Sequence, residues 1–189
     1  MEIILASKSP RRNEILKKAG YEFKIIESSF NESTTLSSPI ETCKYFALEK
    51  AKDVFNGLQN KENVLVLGAD TIVYLDGKIL GKPKNEEDAK KMLQTLSGKA
   101  HYVYTGYAIV YKDKIINDYD QTEVIFNTLN EEIINEYVKT GSPLDKAGAY
   151  GIQDDFNLVK EIKGSLNNVI GLPIEKINIE LNKIIKKGL

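Results

Sequence analysis

The hydrophobic and polar positions of the chain follow two different periods, which predicts a protein built from both strands and helices. Short apolar runs bounded by turn residues are typical of strands, whereas apolar positions three and four residues apart are typical of amphipathic helices. The predicted strands cover residues 2–6, 22–27, 64–68, 71–75, 78–80, 100–111, 114–128 and 158–162. The predicted helices cover residues 10–20, 39–57, 85–96, 130–140 and 173–187.

Turn and cap residues agree with these boundaries. Pro10 follows Ser9 as a first helical residue follows its N-cap, and Asp76-Gly77 is a typical hairpin turn. The run VLVLG at 64–68 is the most apolar and predicts a central strand, and the polar stretch 28–38 predicts a loop. Mixed strands and helices with hairpins indicate an α/β or α+β fold, with a mixed sheet and flanking helices.

The helix predicted at 39–57 carries an apolar stripe that contains one charged residue. Along one side it presents Ile40, Cys43, Phe46, Ala47, Lys50, Ala51 and Val54. Such a stripe is typical of a helix face that packs on a core.

Composition places the chain among ordinary globular proteins. It has 189 residues, of which 42% are hydrophobic and 28% charged, and it carries no repeat or linker-like segment. We therefore predict a single domain over residues 1–189. No window approaches the ~18 uninterrupted apolar residues of a membrane span, and the N-terminal apolar run lacks the basic segment of a signal peptide. We expect a cytoplasmic protein without a membrane partner.

Charge and rare residues exclude several functional classes. The net charge of −1 and the lack of a basic stripe alternating with aromatic residues argue against nucleic acid as a partner. The single cysteine, Cys43, excludes an intrachain disulfide framework. With a single histidine, His101, we do not expect a His-rich metal site or a Ser-His-Asp triad.

The first candidate site is the segment ASKSPRR at 6–12. The chain has 26 basic residues but only two arginines, the neighbours Arg11 and Arg12. They lie where a predicted strand passes through a loop with Ser7 and Ser9 into a helix, and the N–H groups and dipole of a helix start favour an anion. The pattern indicates a phosphate-binding corner, the alternative being a capped helix with a solvated face.

The second candidate is Asp70 in the segment GADT at 68–71, which the pattern places at the end of an apolar strand. Small neighbours leave access to its carboxylate, so it could act in catalysis or bind a metal. The alternative is an ordinary turn-capping aspartate.

Two further segments carry candidate ligand-binding residues. Gly81-Lys82-Pro83 is not a Walker A motif, because the glycine spacing is one residue short and Pro83 replaces the Ser or Thr. Lys82 is then either a fixed phosphate ligand or a loop lysine. The segment DKAGAYGIQ at 145–153 suggests backbone close to a ligand, with Gln153 able to read a base edge, or else a structural glycine-rich connection. Together these groups favour a phosphorylated small molecule as the ligand.

Six motifs then match one known family in order and spacing. They are LASKSPRR at 5–12, GADTIV at 68–73, GKP at 81–83, LSGKAH at 96–101, PLDKAGAYGIQ at 143–153 and NVIGLP at 168–173. Over essentially its whole length the chain resembles the Maf family of nucleoside triphosphate pyrophosphatases, historically called septum formation inhibitors. The resemblance implies a mixed α/β fold related to the inosine triphosphatase group, with two lobes around a nucleotide cleft.

The resemblance also implies a reaction, which is hydrolysis of a nucleoside triphosphate to the monophosphate and pyrophosphate with a divalent cation, Mg²⁺ or Mn²⁺. One branch of the family prefers dTTP and UTP, possibly including modified pyrimidines, and another prefers 7-methyl-GTP. Arg12, Thr71 and Gln153 match the selectivity positions of the dTTP/UTP branch.

The resemblance assigns roles to individual residues of the chain. Asp70 matches the proton acceptor for the attacking water, and Glu32 matches a glutamate near the metal, so these two are the expected metal ligands. The remaining expected phosphate-binding residues are Lys52, Lys82, Ser7, Ser9 and Arg11. Asn31 stands where many members carry an acid, and Leu166 replaces a common aromatic residue.

Two other functions compete with this one. The first is a 7-methyl-GTP pyrophosphatase of the same family. The second is a nucleotide-binding regulator of cell division without significant turnover. Family members are often dimeric, so a homodimer is among the expectations, although the chain shows no clear interface stripe.

Overall fold

A computed structural model describes residues 1–187. Its strands are β1 (Glu2–Leu5), β2 (Phe23–Ile25), β3 (Val64–Leu75), β4 (Lys78–Leu80), β5 (Ala100–Tyr111), β6 (Lys114–Phe126) and β7 (Val159–Lys163). Its α-helices are α1 (Pro10–Lys18), α2 (Pro39–Gly57), α3 (Glu86–Leu96), α4 (Glu131–Lys139), α5 (Leu166–Ile170) and α6 (Ile174–Lys187). Short 3₁₀ turns occupy Ser142–Asp145 and Ala147–Ala149.

The strands form a seven-stranded mixed sheet in the order β2-β1-β3-β5-β6-β7, with β4 paired to β3. β1 pairs in parallel with both β2 and β3, whereas β4 pairs antiparallel with β3 and β7 antiparallel with β6. The predicted α/β fold with a mixed sheet and flanking helices is therefore confirmed. The apolar run at 64–68 lies in an interior strand, as its composition predicts.

One predicted boundary is wrong. The sequence indicates two strands separated at Ala69-Asp70, directly after Gly68, but β3 is continuous over Val64–Leu75, so Asp70 lies within a strand and not at a strand end. Glycine and aspartate are depleted in strands, which is why the pattern suggests a break. The strand continues because Gly68 packs directly beneath α2 and the carboxylate of Asp70 pairs with the ammonium of Lys50.

The described chain divides into two compact units. The first unit comprises Met1–Asp70, Thr105–Asp120 and the chain from Gly171 onward. In its core, small residues of α2 pack on β1, β3 and β5. This cluster contains Ile4, Ala6, Ala47, Ala51, Val54, Phe55, Val64, Val66, Ala108 and Val110.

The second unit comprises Thr71–Tyr104 and Gln121–Ile170. Its core joins α3 and α4 to the strands β5 and β6 and to the second half of β3. The largest buried members are Leu93, Leu96, Phe126, Tyr137 and Tyr150. Within residues 1–187, no helix has the length and apolar character needed to cross a membrane.

Candidate functional site

Two glycines allow the backbone of α2 to lie directly on the sheet in the first unit. A Cβ atom built on Gly68 would lie 2.3 Å from the carbonyl oxygen of Ala47, and one on Gly106 would lie 2.4 Å from that of Cys43. Both distances are far below van der Waals contact, so a larger residue at either position would displace the helix. Because of this close approach, side chains of α2 contact residues of β3.

Lys50 reaches two carboxylates from the apolar side of α2. Its Nζ atom donates to Oδ1 of Asp70 at 2.7 Å and lies 2.7 Å from Oε1 of Glu32. The side chains of Lys50 and Asp70 are only 12% and 10% exposed, whereas that of Glu32 is 45% exposed. A buried ammonium needs partners of opposite charge, and these two carboxylates supply them. The structure thus brings together the two acids that the resemblance assigns to the metal.

Burial raises the pKa of Asp70, and the carboxylate of Glu32 adds to this effect. The ammonium of Lys50 and the guanidinium of Arg12 oppose it by stabilising the ionised form. A carboxylate with a raised pKa is a stronger base than an exposed one, and the two cations keep it charged.

The loop that carries Glu32 is fixed by the same helix. The carboxylate of Asp53 accepts hydrogen bonds from the Ser28 hydroxyl at 2.8 Å and from the backbone N–H of Ser29 at 2.7 Å. These bonds hold the pKa of Asp53 below its ordinary value. Asp53 lies one turn beyond Lys50, so α2 holds this loop at both places.

The segment at residues 7–12 adds a guanidinium and hydroxyl groups to the first unit. The Ser7 hydroxyl accepts from the backbone N–H of Ser9 at 3.2 Å and from Nη1 of Arg12 at 3.2 Å, while Nε of Arg12 donates to the carbonyl of Gly171 at 2.8 Å. Ser9 precedes α1 as predicted, but its hydroxyl makes no capping bond in the described first turn. Arg11 is partly buried beside Arg12.

The residues present fit a small divalent cation that shares its ligands with phosphate. No group of three or more His, Cys, Asp or Glu side chains suited to a metal occurs within residues 1–187. Mg²⁺ is commonly bound by one or two carboxylates together with substrate phosphates and water. Glu32 and Asp70, each with an oxygen 2.7 Å from the same ammonium, are the carboxylates that could hold such a cation.

Lys82 lies in the second unit, on an exposed segment just before α3. The preceding carbonyl, that of Gly81, accepts a hydrogen bond from the backbone N–H of Gly148 at 3.0 Å. Gly148 has φ +68°, and a Cβ there would lie 2.9 Å from Val73, so this position requires glycine. The GKP and AGAYGIQ motifs are therefore joined by backbone in the second unit.

Gln153 is exposed on a tight turn, and Thr71 is partly buried at the point where β3 enters the second unit. The turn closes through a hydrogen bond from the N–H of Asp154 to the carbonyl of Gly151, at 3.1 Å.

Lys52 and Lys50 have different surroundings. Nζ of Lys52 donates to Oε1 of Glu49 at 3.2 Å on the partly exposed side of α2. The family motifs do not point to Lys50, but the sequence carries a signal for it, because a lysine in an otherwise apolar helix stripe requires a buried partner. The phosphate-binding role of Lys52 stays a prediction.

Fold and site together define a mixed α/β protein in which a buried lysine contacts two carboxylates and an arginine lies close enough to act on one of them. A family model described as "Maf-like protein" matches residues 2–184. The chain belongs to the Maf family.

Similar proteins carry a more specific name. Proteins of Bacillus thuringiensis subsp. konkukian and Bacillus anthracis, both named dTTP/UTP pyrophosphatase, are 50% identical to this chain over 184 residues, which is 96% of this chain and 95% of each relative. One of the same name from a Bacillus cereus strain is 48% identical over the same length. A solved nucleoside-triphosphatase / dITP/XTP pyrophosphatase of Mycobacterium abscessus shares 13% identity, with a TM-score of 0.47 over 100% of this chain and 99% of that one.

Proposed function

We propose that the protein hydrolyses dTTP and UTP to the nucleoside monophosphate and pyrophosphate. The observation that carries the proposal is the contact of the buried Lys50 with the buried Asp70 and the exposed Glu32, which offers a base and a cation-binding pair to a triphosphate. Membership of the Maf family supports the reaction class, and the names of relatives at 50% identity support the choice of substrates.

Asp70 serves as the general base in this proposal. Its carboxylate takes a proton from a water molecule as the water oxygen forms a bond to the α-phosphorus. The bond between that phosphorus and the oxygen bridging to the β-phosphate breaks, and pyrophosphate leaves with the electron pair. A positioned carboxylate base contributes roughly 10²–10⁴ in rate.

Charge on the triphosphate is balanced by groups of the chain. Lys50 and Arg11 of the first unit act on the phosphate oxygens, and the hydroxyls of Ser7 and Ser9 donate to them. Lys82, in the second unit, is kept as the phosphate ligand that the resemblance implies. A bound Mg²⁺ or Mn²⁺, held by Glu32 and Asp70, would neutralise charge on the phosphates and polarise the phosphorus. Between Lys50 and Lys52 of α2 we favour Lys50 because it contacts both acids, with Lys52 as the alternative for phosphate binding.

Base selectivity in this proposal comes from Arg12, Thr71 and Gln153. The Gln153 amide can both donate and accept, as the edge of thymine or uracil requires. Arg12 is held through Ser7 and the carbonyl of Gly171, which fixes its guanidinium plane.

The test is hydrolysis by purified protein with Mg²⁺ or Mn²⁺ across dTTP, UTP, CTP, ATP, GTP and 7-methyl-GTP, with products resolved. Monophosphate and pyrophosphate from dTTP and UTP are expected. Diphosphate and orthophosphate would show that a different bond breaks, and preference for 7-methyl-GTP would move the protein to the other branch. Tight binding without turnover of any nucleotide would favour the regulatory alternative.

A further inference from the structure

The turn that presents Gln153 is held at both ends by one hydroxyl group. Gly151 and Asp154 are the first and last residues of this four-residue turn, and Gln153 is its exposed third residue. The backbone N–H of Gly151 donates to Oη of Tyr137 at 2.8 Å, and the same Oη donates to Oδ2 of Asp154 at 2.5 Å. The Tyr137 hydroxyl therefore bridges the two ends of the turn from helix α4.

The carboxylate of Asp154 is fixed by further partners. Its Oδ2 atom accepts a hydrogen bond from the Ser142 hydroxyl at 2.8 Å and lies 3.7 Å from Nζ of Lys146. Lys146 has a side chain only 9% exposed, and its Nζ also donates to the backbone carbonyl of Ser142 at 2.5 Å. Nζ of Lys146 also lies 2.9 Å from Oδ1 of Asp145, so this buried ammonium faces two carboxylates, of which Asp154 accepts from the tyrosine hydroxyl.

The geometry leaves little room for a side chain at the first position of the turn. A Cβ atom on Gly151 would lie 2.7 Å from Oδ2 of Asp154 and 2.7 Å from Cε of Lys146. The glycine, the tyrosine hydroxyl and the carboxylate are thus packed together, and they fix the backbone from which Gln153 projects.

We propose that Tyr137 is a positioning residue for base selectivity, acting through the Gln153 turn. The inference deepens the proposed dTTP/UTP activity and rests on it. A side-chain amide reads one base edge reliably only if the backbone that carries it stays in place, since a shifted amide can pair with other edges. Tyr137 does not itself touch the base in this proposal.

The core offers a matched control for the loss of a buried hydroxyl. The ring of Tyr137 packs against Phe156 with centroids 4.8 Å apart, so Tyr137→Phe keeps the packing and removes only the hydroxyl. The Tyr150 hydroxyl lies 2.8 Å from Nε2 of His101, whereas the bonds to Gly151 and Asp154 are made by Tyr137. Tyr150→Phe therefore removes a buried hydroxyl of the same unit and leaves the bonds from the Tyr137 hydroxyl to Gly151 and Asp154 in place.

The experiment measures kcat/KM for dTTP and for dCTP in wild type, Tyr137→Phe, Tyr150→Phe, Gln153→Ala and the double variant Tyr137→Phe/Gln153→Ala. Tyr137→Phe is expected to lower the dTTP-to-dCTP ratio roughly three- to tenfold, as loss of one hydrogen bond would. Tyr150→Phe is expected to leave the ratio within about twofold of wild type. In the Gln153→Ala background, Tyr137→Phe should change the ratio little, because the residue through which it acts is gone.

Hydrogen exchange of the backbone amides at 151–154 provides a readout that does not need catalysis. Faster exchange there in Tyr137→Phe than in Tyr150→Phe is expected. Unchanged exchange, an unchanged ratio, or independent effects of Tyr137→Phe and Gln153→Ala would each overturn the positioning role. Absence of dTTP turnover in the wild type would overturn the proposed function instead. The exchange comparison would still decide whether the Tyr137 hydroxyl holds the two ends of the turn.

Discussion

Nζ of Lys50 lies 2.7 Å from Oδ1 of Asp70, and both side chains are almost wholly buried. Lys50 comes from the apolar side of α2, and Asp70 from the middle of β3. Removing one partner of such a pair leaves a charge in a poorly solvated place, which is costly, so neither residue is expected to be replaceable without effect. The pair therefore links the packing of helix on sheet to the chemistry that we propose for the site.

Lys50→Met is expected to reduce dTTP turnover at least ~100-fold, because the phosphate loses a fixed cation and two carboxylates are left facing each other. Lys52→Met is the matched control, since Lys52 lies two residues along the same helix and pairs with Glu49. It is expected to change turnover less than about threefold, as typical of a partly exposed ion pair. Thermal unfolding of both variants shows whether the measured protein is folded. The opposite ranking would assign the role to Lys52.

Asp70→Asn removes the proposed base while keeping the size of the side chain. We expect turnover to fall by roughly 10²–10⁴ while dTTP still binds, because a general base acts in the transition state and not in ground-state binding. Steady-state kinetics and calorimetric titration with dTTP measure the two quantities separately. Full turnover by Asp70→Asn would remove this residue from the role of base.

The pH dependence of kcat/KM should report the same carboxylate. Activity needs Asp70 ionised, so it falls as the pH drops through the pKa of this group, and burial raises that pKa. The acid limb is therefore expected at higher pH than an exposed aspartate would give. In Lys50→Gln it should move to still higher pH, because the ammonium that lowers the Asp70 pKa is gone, whereas Lys52→Gln should leave it in place. A limb that stays fixed in Lys50→Gln would show that another group controls it.

Local signals predicted most of the fold correctly. Asn85 and Asn130 cap α3 and α4 by accepting from the N–H groups three residues on, at 2.9 and 2.8 Å, and Asp76-Gly77 forms the β3–β4 turn with positive φ at both residues. Each of these features depends only on neighbouring residues, so the sequence pattern contains it.

Long-range packing explains what the pattern missed. Gly68 looks like a strand break in the sequence, yet it is the place where α2 contacts β3, and the helix residue involved, Ala47, lies more than twenty positions earlier. The partner of Lys50 depends on the same contact. Asp70 and Glu32, which the resemblance assigns to the site, both contact Lys50. The spacing of these three residues along the chain does not predict that contact.

Gly68→Ala tests whether the close approach of α2 is what holds the site together. The added methyl group would meet the backbone of Ala47 and Ala51 and not a flexible side chain, so the strain cannot be relieved by a rotamer change. We expect the free energy of unfolding to fall by about 1–3 kcal/mol, as in other overpacked cores, and turnover to fall as Lys50 moves away from Asp70.

The control for this substitution is Gly57→Ala, at the last residue of the same helix, where an added Cβ has no neighbour within 4 Å among the described residues. That change should stabilise α2 by roughly 0.5–1 kcal/mol, since alanine favours the helical backbone, and leave turnover unchanged. Urea denaturation and dTTP kinetics on the two variants give both comparisons. If Gly68→Ala kept wild-type turnover while losing stability, the Lys50–Asp70 contact would not depend on the helix-to-sheet distance, and the role of Gly68 would be limited to the core.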